Sequence, residues 1–142
     1  IAQCLVGSEM CIRDRSYGRL AMNESQHQRM LIKWTQQAHI RRKYPVLKLL
    51  YHIPNERQCS PVQGRLLKLL GVKSGVPDLH LPASRGRYHG LYIEMKADKG
   101  KVSENQSWWI EELEAQGYKC AVCRGYEEAI KVLEDYLCGR VK

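Results

Sequence analysis

The sequence predicts an α/β fold: a small mixed β-sheet flanked by helices, with elements in the order α-β-α-β-β-α-β-α. Three observations carry that expectation. Stretches of helical and of strand-like hydrophobic spacing alternate along the chain. Two strand-like stretches within 77–97 follow each other with no helix between them, so they form a hairpin and the sheet is not purely parallel. A β-α-β unit covers 90–123, and if its strands share a sheet they run parallel, with a right-handed crossover.

The first helix is expected from Asn23 to about Arg42. Asn23 is a good N-cap, Glu24 lies in the first turn, and Met30, Leu31, Trp34, Ala38 and Ile40 supply an apolar stripe. Pro45 stops it, and a strand is expected over Val46 to Ile53, closed by Pro54-Asn55. Ser60-Pro61 is a cap followed by proline at the first helical position, and that helix runs to Leu70 before Gly71. A short strand framed by prolines lies in Gly75 to Pro82. After a polar loop at 83–88, a second strand runs from about Gly90 to Ala97. A helix from Ser103 to Gln116, a strand from Tyr118 to Cys123 and a helix from Tyr126 to Leu137 complete the order.

The 142 residues carry 23 Lys+Arg and 15 Asp+Glu, a net charge of +8, and 44% are apolar, which suits one globular domain with one core. Residues 1–76 hold 13 basic and 4 acidic side chains, whereas 77–142 hold 10 and 11. A positive surplus in one half attracts polyanions, nucleic acid foremost, although a solvated surface reads the same way. No apolar run approaches the roughly 18 residues of a membrane span, and no secretory signal opens the chain, so a cytoplasmic site is expected. The six cysteines, at 4, 11, 59, 120, 123 and 138, are irregularly spaced and are read as reduced thiols.

The opening stretch through Cys4-Leu-Val-Gly-Ser-Glu-Met-Cys-Ile-Arg-Asp-Arg15 has neither periodicity. It resembles the translated read-through of a sequencing adaptor. Residues 1–21 are therefore expected to be a non-native or disordered tail, with Met22 a plausible start and 22–142 the functional domain.

Chemistry concentrates in the hairpin. Alternation in Leu91-Tyr-Ile-Glu-Met-Lys-Ala97 places Tyr92, Glu94 and Lys96 on one face, and Asp78 and His80 take the matching face of the partner strand. Two carboxylates and an ammonium then converge. Close carboxylates repel unless a cation or proton neutralises them, and Mg²⁺ is commonly held by one or two carboxylates plus waters and phosphate oxygens. Lys96 would supply charge beside a metal-bound water. The competing reading makes Glu94 and Lys96 the solvated face of an edge strand, with Asp78 a turn residue after Pro77.

Taken together, Gly75-Val-Pro-Asp78, Gly90-Leu-Tyr-Ile-Glu94-Met-Lys96, Ser103-Glu-Asn-Gln106, Gly117-Tyr-Lys-Cys-Ala-Val-Cys123 and Glu128-Ala-Ile130 form a set. This set resembles the VRR-NUC family, virus-type replication-repair nucleases of the PD-(D/E)xK superfamily, over about residues 23–138. Pro54-Asn55 and Leu66 to Gly75 add to the likeness. The resemblance implies a restriction-endonuclease-like core and a Mg²⁺-dependent DNA endonuclease, with Mn²⁺ able to substitute. It also implies selectivity for branched DNA such as four-way (Holliday) junctions, in a phage-infected or bacterial cell; because the chain has room for one active site and such a junction is two-fold symmetric, a homodimer is expected. By resemblance Asp78 and Glu94 are the metal carboxylates, joined by the Met95 backbone carbonyl. Lys96 is the catalytic lysine, Gln106 an active-site residue, and Glu24 a further acidic ligand.

Other readings stand beside these. Gln106 also completes a capping box with Ser103, and an acid at Glu24 is favoured by the helix dipole alone. Arg85, Arg87, Lys99 and Lys101 flank the hairpin as expected phosphate contacts. Cys120 and Cys123 face opposite sides of a strand, which suits core thiols better than zinc or redox chemistry. Trp108 or Trp109 can stack on bases or fill the core, and His80 and His89 are read as ordinary structural histidines. The first helix, through Met30, Leu31 and Trp34, is a candidate dimer face whose alternative is the core. The rival function classes are a catalytically silent nucleic-acid-binding module of the same fold, and a zinc or redox protein centred on Cys120 and Cys123.

Overall fold

The computed structural model describes residues 21–54 and 59–141. The expected tail, apart from Ala21, lies outside them, as does Asn55. Helix α1 (Glu24–Gln36) begins on Asn23, whose side chain accepts from Gln26 N–H at 2.9 Å while the Gln26 side chain accepts from Asn23 N–H at 2.8 Å. The single helix expected to Arg42 is two. At Gln37 the chain turns extended (φ −64°, ψ 135°) and a second helix, α2 (Ala38–Lys43), follows. The reason is angular. At 100° per residue, Leu31 and Ile40 would point from opposite sides of one straight helix, yet both are buried in the same core, and only a break allows this.

The strand expected over 46–53 shrinks to β1 (Tyr51–His52), preceded by a 3₁₀ turn over Pro45–Leu49. Pro45 starts that turn instead of merely ending a helix, since its fixed φ suits a first helical position. Helix α3 (Pro61–Leu69) carries the expected Ser60 cap and proline start, in a reciprocal capping box with Gln63. Strands β2 (Leu79–Leu81) and β3 (Leu91–Lys96), helix α4 (Glu104–Ala115), strand β4 (Lys119–Arg124) and helix α5 (Tyr126–Leu137) follow as expected.

The sheet order is β1-β2-β3-β4, with β2 antiparallel to both neighbours and β3 parallel to β4. The register sets Leu79 opposite Ile93 and Leu81 opposite Leu91, so the four leucine and isoleucine side chains share a face and are fully buried. Met95 and Cys123, neighbours across β3 and β4, extend that face. Helices α1 and α5 cover it with Leu31, Ala129, Leu133 and Tyr136. Each large apolar side chain buried here contributes about 1.5–3 kcal/mol. The Tyr136 hydroxyl donates to Ala83 O at 2.7 Å, tying α5 to the hairpin loop. Helix α4 packs on β4, and its Gln106 reaches Glu94 on the opposite sheet face, so helices cover both faces. Among the described residues no helix is long and apolar enough to cross a membrane.

Leu31 is wholly buried and Trp34 packs on the core, which settles their role in α1; Met30 alone is moderately exposed. The exposed apolar stripe lies on α3 instead, where Val62, Leu66, Leu69 and Leu70 stand open and no residue is buried.

Candidate active site

Strand β3 supplies the centre of the site. Glu94, Lys96 and Asp78 are 0%, 4% and 6% exposed, so the reading of a solvated edge strand is wrong for them: β3 lies inside the sheet with β2 on one flank and β4 on the other. Lys96 Nζ sits 2.8 Å from Glu94 Oε1 and 3.7 Å from Glu24 Oε1. Gln106 Nε2 donates to the same Glu94 oxygen at 2.5 Å. Asp78 Oδ2 accepts the Met95 N–H at 2.9 Å, which seats this carboxylate beside the residue that follows Glu94. The two backbone groups of a strand residue face the same flank, so the Met95 carbonyl is also turned towards Asp78. The six residues expected from the sequence to form the metal and catalytic site, Glu24, Asp78, Glu94, Met95, Lys96 and Gln106, are therefore gathered at one end of β3.

The capping box and a contact to Glu94 coexist because the Gln106 amide has two ends. Oε1 accepts from Ser103 N–H at 2.9 Å and closes the capping box, which leaves Nε2 to hold Glu94. Glu24 similarly sits in the first turn of α1 and reaches Lys96.

The segment leading to Asp78 is clamped by Asn105 and by Trp109, which the sequence offered only for base stacking or for the core. Asn105 Nδ2 donates to Ser74 O at 2.8 Å and lies 3.1 Å from its hydroxyl, and Trp109 Nε1 donates to the same carbonyl at 3.0 Å. Gly75 follows with φ +86°, and a Cβ there would fall 2.6 Å from Asn105 Nδ2, so only glycine fits the turn and the contact. Asn105 was visible inside the Ser103-Glu-Asn-Gln106 motif, but nothing in its spacing revealed a partner in a distant loop.

The four expected phosphate contacts divide. Lys99 and Lys101 bracket Gly100, whose Cβ position is 3.2 Å from Lys96 Cδ and 3.3 Å from Glu24 Oε1, so both lysines stand beside the site. Arg85 and Arg87 lie in the loop at the far end of β3, a strand length of about 16 Å away. Arg85 donates to Ser84 O, and Arg87 lies over the Tyr88 ring. Trp108 is half exposed. His80 stacks on Tyr92 at 4.1 Å between centroids and bonds the Tyr51 hydroxyl at 2.9 Å, while burial lowers its pKa. His89 packs against Tyr118. Neither histidine joins the cluster.

Two carboxylates flank the Lys96 ammonium and a third, Asp78, is held on the Met95 N–H, with most of this charge out of water. The oxygen donors of such a set suit a hard ion such as Mg²⁺. Among the described residues no three His, Cys, Asp or Glu side chains form a ready-made metal cage. Asp78, Glu94 and the Met95 carbonyl would therefore hold such an ion together with waters and substrate oxygens.

Cys120 and Cys123 are buried on opposite sheet faces, and burial, with Glu114 and Glu128 adding to it, pushes both thiols up to about 12. Protonated thiols neither ligate zinc nor exchange disulfides. The core reading of this pair stands.

Comparison with known proteins decides the family: the VRR-NUC domain family model matches residues 22–127. The chain belongs to the VRR-NUC family. A solved structure named VRR_NUC domain protein is 30% identical, with a TM-score of 0.68, covering 83% of this chain and 90% of its own. No curated protein matches the chain. The VRR-NUC domain is thus a nuclease-type α/β domain, and the mixed four-stranded sheet with flanking helices is its core.

Proposed function

We propose that this VRR-NUC domain is a Mg²⁺-dependent DNA endonuclease, with Mn²⁺ able to substitute, that hydrolyses phosphodiester bonds in branched DNA during replication, recombination or repair. The observation that carries the reading is the buried convergence of Asp78, Glu94, Lys96 and Gln106 at one end of β3. Charge buried at this density is costly to the fold and is found where chemistry needs it. When bound, Mg²⁺ supplies a Lewis acid for the scissile phosphate and lowers the pKa of its water.

The chain's own groups do the rest. Gln106 and Lys96 fix the Glu94 carboxylate from two sides, and the Met95 N–H fixes that of Asp78. Lys96, steadied between Glu94 and Glu24, presents a positive charge to the oxygen that develops negative charge during attack. Lys99 and Lys101 carry the substrate backbone at the rim. Incubating labelled single-stranded, duplex, flap and four-way DNA with Mg²⁺, Ca²⁺ or EDTA, beside Lys96→Ala, tests the proposal. Cleavage in Mg²⁺ alone, strongest on branched DNA and lost in the variant, is expected. Tight binding without cleavage under every condition would instead establish the silent binding module.

The same reading includes a homodimer. Paired cuts in a two-fold symmetric junction are most simply made by two sites held at fixed separation, which an isologous interface provides. The apolar stripe of α3 is the face best suited to a second copy, because it continues over successive turns and nothing in the described chain covers it. Light scattering at micromolar concentration should give twice the chain mass, and Leu66→Glu with Leu69→Glu should halve it.

A further inference from the structure

Beside the carboxylate and lysine cluster, a cleft of ≈350 Å³ opens between the starts of α1 and α5. Its walls include Met22, His27, Asp98, Arg124, Tyr126 and Glu127. Its lining residues adjoin those of the site. His27 lies one turn beyond Glu24 on α1, and Arg124 pairs with Lys96 across β3 and β4. Gly125 N–H donates to Lys96 O at 3.2 Å.

The lining has a definite chemistry. His27 is 8% exposed, and its buried Nδ1 has no hydrogen-bond partner among the described residues. Its ring lies 6.0 Å from that of Tyr126, at 32°. Gly125, at φ +95°, starts α5 without a side-chain cap, and a Cβ there would stand 3.6 Å from His27 Cε1. The rim offers one guanidinium donor, Arg124, and two carboxylate acceptors, Asp98 and Glu127. A bare anion is a poor occupant, because two carboxylates oppose the single arginine. A nucleobase matches: a flat apolar face for the half-buried Tyr126 ring, and an edge of donors and acceptors for the mixed rim.

We propose that this cleft takes one unpaired nucleobase flanking the scissile phosphodiester, stacked on Tyr126 beside the buried His27, with its exocyclic amine turned to Asp98 and Glu127. The inference rests on the nuclease reading and deepens it. A base inside a duplex reaches the cleft only by leaving its stack, whereas a junction or flap offers one already unpaired. The cleft is then a source of selectivity for branched DNA. It disfavours thymine, which has no exocyclic amine.

The test uses the full chain on a branched substrate, with a single abasic residue walked through three positions on each side of the cut. At one position the abasic residue should lower kcat/KM about tenfold, as loss of one stacked base would, with little effect elsewhere. In Tyr126→Ala, intact and abasic substrates should be cut equally at that position. The exposed Glu127→Gln should bring cytosine and thymine there to equal rates, and it guards against an effect of misfolding at Tyr126. If the intact substrate is cut and every abasic position is tolerated equally, the cleft is refuted while the nuclease reading stands. If the intact substrate is not cut at all, both fall.

Discussion

Around Glu94, Met95 and Lys96 both faces of β3 are dry, and they are made dry by opposite means. Leu91, Ile93 and Met95 are sealed by the hydrocarbon of α1 and α5, whereas Glu94 and Lys96 are sealed by each other, Gln106 and Glu24. The apolar face stabilises the fold through transfer of surface from water. The charged face gains little net energy, because desolvation of an ion pair offsets most of its attraction. The difference teaches that one face can be assigned to stability and the other to chemistry, and that the two should separate on mutation.

The sharpest way to break this comparison is to make both faces alike. Glu94→Leu combined with Lys96→Met should lower single-turnover cleavage by at least about 10²-fold, the scale of losing a positioned transition-state donor. Its unfolding free energy should stay within about 1 kcal/mol of the parent or exceed it. Glu94→Ala alone leaves Lys96 in a dry site with only the longer contact to Glu24 and should cost up to about 3–5 kcal/mol in urea unfolding. A double variant that melts far below the parent would mean that the charged face holds the fold together.

On the other face, Ile93→Ala should cost about 2–5 kcal/mol through lost burial and a cavity, with cleavage per folded molecule retained. Activity lost at full stability would contradict the division. A third comparison uses the ion itself. At 100 times its dissociation constant, Mg²⁺ should raise wild-type stability by about 2.7 kcal/mol and leave the double variant unmoved. Ca²⁺ should stabilise without supporting cleavage, given its looser coordination.

Smaller effects sharpen the picture. Iodoacetamide at neutral pH should label Cys59 and Cys138 but neither Cys120 nor Cys123, whose thiols lie on opposite faces and are both pushed up to about 12. Smallest is the contribution of His80. Burial lowers its folded pKa below the ordinary 6.5, so the unfolded chain takes up the proton first on acidification. The stability that His80 supplies as a neutral ring is therefore present above about pH 6.5 and is lost as the pH falls through the folded pKa. His80→Gln should flatten that part of the pH profile of urea unfolding.

Much of this was legible in the sequence, for reasons that differ by residue. Period-two alternation in 91–96 put Glu94 and Lys96 on one face whatever the surroundings, and the hairpin brought Asp78 to them. What alternation cannot tell is whether the polar face meets water or other side chains; that depends on β4 and α4 closing over it. The break at Gln37 was hidden because an apolar stripe fixes spacing but not the straightness of the axis. Val46 to Leu50 carries no clean period, so a proline that permits a 3₁₀ turn looked like one that only ends a helix. The clamp from Asn105 and Trp109 to Ser74 joins groups more than thirty positions apart, beyond any local pattern.

That clamp makes the protein optically self-reporting. Trp109 donates its indole N–H to the carbonyl of Ser74, four residues before Asp78. Indole emission shifts colour when this bond is exchanged for water, so the wavelength of Trp109 registers whether the strand carrying Asp78 is seated. With Trp34→Phe and Trp108→Phe in place, the remaining fluorophore would follow movement of that strand in real time as an ion or a nucleic acid arrives, with no dye attached.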